Sequence, residues 1–387
     1  MKEFSRLLET FDEGIFKKLT DKKIELQKEG RQIYDLFVGT PDFEPDDEIK
    51  KTLSEAALIS EDYKYSLRIL PELKEEFINY YKKRFNVELE SDEISICNGT
   101  QEGMCHIGMC LCNPGDICLL PNPGYIAFDS SALFAGADIH YYPLLEENDF
   151  MPRLDLIDEE VLKKTKYVII SYPSNPTGGV ITKQRYEEII ALAKKYEFII
   201  INDNAYSDIV FDGFEAFSFL ELEGAKEVGV EFYSLSKSFN ITGARISFLA
   251  GNKKIIRAFD KLRSQYDFGM FAPIQKAAIT ALKLDRKNIL KQQAIYEERR
   301  NVLCDGLSNI GWPVKRSKGT MFVFARIPDK YNDSMEFTLA LLERANVLVT
   351  PGISFGSIGD KYVRFALVKE KEELIKIIEI IKNSNVL

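Results

Sequence analysis

Residues 167–204 read YVIISYPSNPTGGVITKQRYEEIIALAKKYEFIIINDN, in which two short apolar runs flank a segment with helical periodicity. The runs are Tyr167–Tyr172 and Phe198–Asp203, and the segment between them places apolar residues such as Ile189 and Ile190 among charged ones. Continuous apolar strands that alternate with amphipathic helices are typical of a parallel sheet covered on both faces. The stretch therefore predicts an α/β fold.

The same alternation extends to both sides of this stretch. Further apolar runs predict strands at Ile117–Leu120, Phe232–Leu235 and Ile246–Ala250. Residues 274–310 are predicted to form one long helical region. Beyond Trp312 the pattern predicts a smaller α+β unit. Its strands and helices alternate at Met321–Ala325, Phe337–Arg344, Tyr362–Leu367 and Glu372–Ile381.

The composition is that of an ordinary globular protein. Of the 387 residues, 45% are hydrophobic and 29% are charged, and the net charge is −9. An acidic chain without a clustered basic face is a poor nucleic-acid binder. No apolar stretch approaches the roughly 18 residues of a membrane-spanning helix, and the amino terminus lacks a signal-peptide pattern. We therefore expect a cytoplasmic protein that binds neither nucleic acid nor membrane.

Cysteine and histidine usage argues against a metal centre. Five of the six cysteines cluster between Cys97 and Cys118, without the paired spacings of a structural zinc site. The only histidines are His106 and His140. We expect buried, reduced thiols and no metal, so that acid–base chemistry must depend on Lys, Tyr, Asp or Glu.

Polar and turn-forming residues follow five predicted strands, the first of which ends at Cys97 in the run EISICNGTQEGMCHIGMCLC, which predicts a strand followed by a helix. In open α/β sheets, ligands bind beyond the carboxyl ends of the strands, so we expect these residues to converge on one site. The five segments are Asn98–Gln101, Pro121–Tyr125, Tyr172–Gly178, Asp203–Tyr206 and Ser234–Lys237.

The common nucleotide-binding motifs are absent. No two glycines lie two positions apart, which excludes G-x-G-x-x-G, and no Gly-Lys dipeptide exists, which excludes a P-loop. Ser234–Lys237 matches the S-x-x-K of penicillin-binding enzymes, but the S-D-N and K-T-G elements that this reading needs are missing.

A phosphate site beside a reactive lysine explains these residues better. Ser234 and Ser236 can donate hydroxyls to an anion, and Arg245 can bind it bidentately. Gly99–Gln101 opens a predicted helix, whose free N–H groups favour a phosphate. Lys237, reaching past that phosphate, could condense with an aldehyde. These are the requirements of pyridoxal 5'-phosphate.

With these motifs, the chain resembles the fold-type I, pyridoxal-phosphate-dependent aminotransferases of class I/II, and among them the LL-diaminopimelate aminotransferases. The resemblance is carried by PLLEENDFMP, SYPSNPTGGV, INDNAYSDIVFDG, GVEFYSLSKSFNITGARI and VLVTPGISFG. It implies a large cofactor-binding domain (49–284) with a mostly parallel seven-stranded sheet. It further implies a smaller α+β domain (31–48 and 285–387) and an N-terminal arm or helix (1–30).

The resemblance also implies roles around the cofactor ring. Lys237 would hold the cofactor and move a proton between the substrate α-carbon and the cofactor. Asp203 would pair with the pyridine nitrogen, where a carboxylate keeps the ring protonated. Asn175 and Tyr206 would hydrogen-bond the phenolic oxygen, and Tyr125 would stack on the ring.

Further implied roles concern the phosphate and the substrate. The chain would be a homodimer, because Tyr65 of the partner subunit would reach the phosphate. Arg364 would clamp the substrate α-carboxylate, with Gly39 and Asn175 beside it. The phosphate ligands from the same chain would be Gly99, Thr100, Gln101, Ser234, Ser236 and Arg245.

The implied reaction is a ping-pong transfer of an amino group, via pyridoxamine phosphate, to a 2-oxo acid such as 2-oxoglutarate. The donor would resemble LL-diaminopimelate or be dicarboxylic, but Ile69 stands where the family usually has Gly in a loop beside the substrate. An aspartate or aromatic aminotransferase, or a C–S β-lyase, therefore stays open. A regulatory protein that binds the cofactor without catalysing a reaction is disfavoured. Such a protein usually needs an additional DNA-binding domain, and residues 1–30 are too few to form one.

Overall fold

The computed structural model describes residues 4–11 and 14–387, so residues 1–3 and 12–13 of the predicted N-terminal arm lie outside it. Its strands are β1 (Tyr34–Asp35), β2 (Ile94–Cys97), β3 (Ile117–Asn122), β4 (Asp138–Pro143), β5 (Thr165–Ser171), β6 (Ile199–Asn204), β7 (Gly229–Ser234), β8 (Ser247–Gly251), β9 (Phe322–Arg326), β10 (Val347–Leu348), β11 (Thr350–Pro351) and β12 (Tyr362–Ala366). Its α-helices are α1 (Gly14–Lys28), α2 (Asp47–Ala56), α3 (Pro71–Phe85), α4 (Thr100–Leu111), α5 (Ala127–Ala135), α6 (Glu159–Lys164), α7 (Lys183–Tyr196), α8 (Ala225–Val228), α9 (Leu235–Ser238), α10 (Lys253–Arg263), α11 (Ala272–Lys283), α12 (Lys287–Asn309), α13 (Ser334–Ala345) and α14 (Lys371–Asn383).

The central sheet has seven strands in the order β2-β8-β7-β6-β5-β3-β4. Strand β8 runs antiparallel to its neighbours β2 and β7, and the other pairs are parallel. Val168, Ile169 and Ile170 of β5 are all fully buried, so both faces of the sheet are covered. The prediction of a mostly parallel seven-stranded sheet is confirmed.

Helix α7 shows how the sequence determines where a helix begins and which of its faces is buried. The Thr182 hydroxyl accepts the backbone N–H of Arg185 at 3.2 Å and so caps the first turn. Ile189 and Ile190 are buried, whereas Glu188 lies on the solvent side. An amphipathic helix of this kind packs its apolar face on the sheet.

A second hydrophobic core lies in the carboxyl-terminal part of the chain. Strands β11, β12 and β9 form an antiparallel sheet in that order, and β1 pairs in parallel with β10. Buried residues of α12, α13 and α14, such as Leu303, Phe337 and Ile377, pack in the same core. The chain from 31 to 36 therefore joins a unit whose core comes mainly from the last 100 residues or so, with Tyr206, Ile209 and Phe211 packed into it as well.

The long helical region predicted over residues 274–310 is divided into the two helices α11 and α12. The backbone is extended at Leu284 (ψ 148°), and a new helix follows. The Asp285 carboxylate accepts the N–H of Lys287 at 3.0 Å, which begins α12. No glycine or proline marks this break, so periodicity alone did not reveal it.

The six cysteines are free thiols. Residues 4–11 and 14–387 contain no group of three or more His, Cys, Asp or Glu side chains arranged to hold a metal ion. Within the same ranges, no helix is both long and apolar enough to span a lipid bilayer.

Candidate active site

A cavity of about 450 Å³ lies beyond the carboxyl ends of β5, β6 and β7. All five predicted strand-end segments contribute residues to its lining, and the second contributes Tyr125 alone. The predicted site residues that line it are Gly39, Thr100, Gln101, Tyr125, Asn175, Asp203, Tyr206, Ser234, Ser236, Lys237, Arg245 and Arg364. Gly99 adjoins this set, whereas Tyr65 of the same chain does not line the cavity.

Lys237 lies on the short helix α9, directly after β7. Its Nζ donates to the carbonyl oxygen of Gly39 at 2.8 Å. Burial, and then the charges of Arg364 and Arg245, lower the pKa of Lys237 to about 8. A lysine with such a pKa has a substantial neutral, nucleophilic fraction near neutral pH.

Asp203 occupies the carboxyl-terminal part of β6. Its Oδ2 accepts a hydrogen bond from Ser171 Oγ at 3.3 Å, and its buried Oδ1 has no partner among the described residues. Burial raises the pKa of this carboxyl to about 7. A half-satisfied buried carboxyl is suited to a cationic N–H donor from a ligand.

Arg364 on β12 brings a buried cation into the cavity from the second core. Its Nη1 donates to Asn175 Oδ1 at 2.8 Å, and its Nη2 donates to the Phe37 carbonyl at 3.1 Å and to Thr350 Oγ1 at 3.2 Å. Nε has no partner in the described chain, and the hydrogen-bond acceptors are all uncharged. Burial lowers the pKa of Arg364 to about 10.

Two aromatic rings enclose the same guanidinium. Its central carbon lies 4.1 Å from the ring centroid of Phe322 and 4.7 Å from that of Phe355. Such stacking fixes the plane of the guanidinium and excludes water from it. A buried arginine without a carboxylate partner is therefore oriented to bind an anionic group of a ligand.

A cradle for an anion forms where β2 turns into α4. Gly99 has φ +84°, and a Cβ at this position would overlap the Arg245 guanidinium. The Oγ1 of Thr100, the first residue of the helix, is buried and has no partner in the described part of the chain. Ser234 Oγ accepts the backbone N–H of Ser236 at 3.2 Å, and Arg245 Nη1 donates to the Thr242 carbonyl at 3.1 Å. Free helix N–H groups, hydroxyls and a guanidinium together are the donors that bind phosphate.

Two tyrosines complete the walls of the cavity. The Tyr125 hydroxyl donates to Gln101 Oε1 at 3.2 Å. Tyr206 is buried, its ring meets Phe322 edge-on at 5.9 Å, and burial raises the pKa of its hydroxyl. Both hydroxyls are therefore protonated donors at neutral pH.

The sequence did not point to several residues of the cavity. Ser171 ends the apolar run of β5, so the strand-end rule could have found it. Phe322 and Phe355 read as core residues, and Phe16 belongs to the N-terminal helix. Nothing in the sequence indicated that these three approach the site, because each comes from a distant part of the chain.

Tyr65 lies outside this cavity. It is 79% exposed, and its ring contacts that of Phe268 at 5.0 Å between centroids.

Comparison with known proteins agrees with this geometry. A family model described as aminotransferase class I and II matches residues 31–381. The LL-diaminopimelate aminotransferase of Halothermothrix orenii is 39% identical over 95% of both chains. The glutamate-pyruvate aminotransferase AlaC of Escherichia coli is 37% identical over 95% of this chain and 90% of that protein. The substrate-bound structure of BacF from Bacillus subtilis has a TM-score of 0.95 at 36% identity, covering 100% of this chain and 98% of that one.

Proposed function

The chain belongs to the class I and II aminotransferases, and from that premise we propose that it transfers the amino group of LL-diaminopimelate, or of a similar amino acid, to a 2-oxo acid such as 2-oxoglutarate. The observation that carries the proposal is the meeting of the Lys237 amine, the Asp203 carboxyl and the Arg364 guanidinium in one cavity. The choice of donor rests on relatives named LL-diaminopimelate aminotransferase at 37–39% identity.

The residues of the cavity fit pyridoxal phosphate. The unpaired Oδ1 of Asp203 matches a protonated ring nitrogen, and the unpaired Oγ1 of Thr100 matches a phosphate oxygen. The space that a Cβ of Gly99 would fill beside Arg245 leaves room for backbone N–H groups to approach the same phosphate. Tyr125 and Tyr206 would border the ring.

When bound, pyridoxal phosphate supplies an aldehyde for the amino group of the donor and a ring that accepts electrons. Arg364 binds the α-carboxylate of the donor and fixes its orientation. Lys237 Nζ accepts the proton that leaves the α-carbon, a role for which a pKa near 8 is suited. Asp203, as a carboxylate, holds a proton on the ring nitrogen.

The proposal includes a cytoplasmic homodimer with a ping-pong cycle. Six free cysteines match the reducing conditions of the cytoplasm. The exposed Tyr65 matches a role in the site of the partner subunit, because its own cavity lies elsewhere.

A panel of amino donors with 2-oxoglutarate as acceptor tests the function. We expect 2-oxoglutarate to be converted to glutamate when LL-diaminopimelate is the amino donor, and we expect double-reciprocal plots at several acceptor concentrations to be parallel. The Lys237→Ala variant should lose this activity, and Lys318→Ala, which changes an exposed lysine, should keep it.

Two results would overturn parts of this proposal. Good turnover of another donor, with none of LL-diaminopimelate, would exclude the proposed substrate. Release of pyruvate and ammonia from cystathionine without an acceptor would identify a C–S β-lyase instead.

A further inference from the structure

A second cavity, of about 420 Å³, opens directly beside the cofactor cavity. The two are adjacent, since both are lined by Phe16, Gln101, Ile126, Ala127, Ser354 and Phe355. The mechanism described above uses none of the residues that only the second cavity contains.

The walls of this second cavity are mainly apolar, and they contain one ionisable carboxyl group. Phe11 and Ile15 from the N-terminal segment and Leu133 from α5 supply apolar surface. Asp129, on the first turn of α5, supplies the carboxyl group, and no lysine, arginine or histidine of the described chain lines the cavity. A long methylene chain would be desolvated here, and only a positive or neutral polar end would be accommodated.

Tyr141 orients the carboxyl group of Asp129. Its hydroxyl donates to Asp129 Oδ2 at 3.0 Å, and this is the only side-chain partner of Asp129 in the described chain. Asp129 is therefore partly buried without a cation to balance it, and burial raises its pKa. A bound ammonium group would supply the missing charge.

The boundary between the cavities connects Asp129 to the α-carboxylate site. The ring of Phe355 stacks on Arg364 and also lines the second cavity. The Ser354 hydroxyl beside it is buried and has no partner among residues 4–11 and 14–387. A donor whose carboxylate binds Arg364 can thus extend its side chain past Phe355 and Ser354.

We propose that the second cavity is the side-chain subsite, in which Asp129, oriented by Tyr141, selects amino donors that carry a distal ammonium group. This inference rests on the proposed function. An ammonium group gains a charge-assisted hydrogen bond to Asp129, whereas a distal carboxylate meets a like charge and no cation. Lysine, whose distal end is a lone ammonium group, is thereby favoured most, diaminopimelate, which carries a carboxylate beside its distal ammonium, is accommodated less well, and donors with only a distal carboxylate are disfavoured.

Binding of unreactive probes to the holoenzyme tests the subsite. 6-Aminohexanoate has a carboxylate for Arg364 and a distal ammonium, but it lacks the α-amino group. Hexanoate and adipate are the matched probes with a neutral and an anionic end. By calorimetry we expect 6-aminohexanoate to bind about tenfold more tightly than either.

Variants distinguish a direct contact of Asp129 with the distal ammonium group from the general effect of removing one negative charge. Asp129→Asn should remove the preference for 6-aminohexanoate and lower the ratio of lysine to alanine turnover about tenfold, and Tyr141→Phe should reduce the preference to a smaller extent. Asp138→Asn, which removes an exposed carboxylate outside the cavity, should preserve both.

The proposal is overturned if wild-type enzyme binds 6-aminohexanoate no better than hexanoate, or if the preference survives in Asp129→Asn. Absence of amino transfer from every donor would instead refute the proposed function, and the binding comparison would still decide the role of Asp129.

Discussion

Burial shifts the two ionisable groups at the centre of the cavity towards their neutral forms. It lowers the pKa of Lys237 to about 8 and raises that of Asp203 to about 7. The positive charges of Arg364 and Arg245 reinforce the effect on the lysine. The protein thus presents a nucleophilic amine, and an acid that becomes fully ionised when a cationic ring nitrogen arrives.

The Asp203→Asn substitution should reduce activity and stabilise the cofactor-free protein. Asparagine keeps the shape and the contact with Ser171 but cannot hold a proton on the ring nitrogen, so kcat should fall roughly a hundredfold or more. Because the folded pKa is raised, the wild-type folded state favours the protonated acid and loses stability as pH rises from about 4 to about 7. Above pH 7 the raised pKa of Asp203 lowers the free energy of unfolding of the wild-type protein by at most about 4 kcal/mol, and the variant avoids this loss.

Urea unfolding of both cofactor-free proteins at pH 5 and pH 8 measures this penalty. The variant should be the more stable at pH 8, and its advantage should shrink at pH 5. An advantage that does not grow with pH would contradict the assigned burial effect. Asp138→Asn, at an exposed position, serves as the control.

The reactivity of Lys237 in the cofactor-free protein should follow its lowered pKa. At pH 7 roughly a tenth of a lysine with pKa 8 is neutral, compared with well under a thousandth at the ordinary value of about 10.4. Peptide mapping after labelling with an amine-specific reagent should give a midpoint near pH 8. Arg364→Gln removes a positive neighbour and should move the midpoint of labelling to higher pH. A wild-type midpoint equal to that of Nα-acetyl-lysine would contradict the lowered pKa of Lys237.

At the scale of elements, the turns after the strands of the central sheet carry the site. These turns were predictable, because apolar runs that end in polar residues locate the carboxyl edge of a parallel sheet. Arg364 was found only through its apolar neighbours and the family resemblance. Phe16, Phe322 and Phe355 could not be found, since their approach depends on how the second core packs against the sheet. The break before α12 was not predicted from the hydrophobic periodicity for a similar reason, because it involves a side-chain contact from Asp285 to the backbone of Lys287.

The Gly99→Ala substitution should weaken cofactor binding at the turn between β2 and α4. The methyl group would overlap the Arg245 guanidinium, and the positive φ of +84° would add backbone strain of about 1 kcal/mol. We expect the dissociation constant for pyridoxal phosphate, measured by absorbance titration, to rise at least tenfold.

Gly115→Ala is the matched control for this prediction. Gly115 has φ +87°, and its Cβ would meet nothing within 4 Å. The Gly115→Ala variant should therefore have similar backbone strain but an unchanged affinity for pyridoxal phosphate. Equal effects of the two substitutions would refute the role of the turn as an anion cradle.

At the scale of the whole molecule, an apolar face is exposed on the single chain. Tyr63 and Tyr65 contact Phe271 and Phe268 respectively, at 5.3 and 5.0 Å between ring centroids, and all four side chains are exposed. Exposed apolar surface of this kind is typical of protein–protein interfaces, and in the proposed homodimer the second copy of the chain would cover it.

Mixed dimers test whether Tyr65 acts in the partner subunit. Tyr65→Ala should weaken cofactor binding, and Lys237→Ala should abolish amino transfer. If Tyr65 acts in trans, unfolding and refolding the two variants together should restore up to roughly a quarter of the intact sites, because each heterodimer regains one. If Tyr65 acts within its own chain, mixing should restore none.

The most direct test of the whole account is borohydride reduction of the purified, cofactor-loaded protein, followed by peptide mapping. We expect a yellow protein that loses its colour on reduction and carries one pyridoxyl group attached to Nζ of Lys237. A colourless protein, or a label found on another lysine, would contradict it.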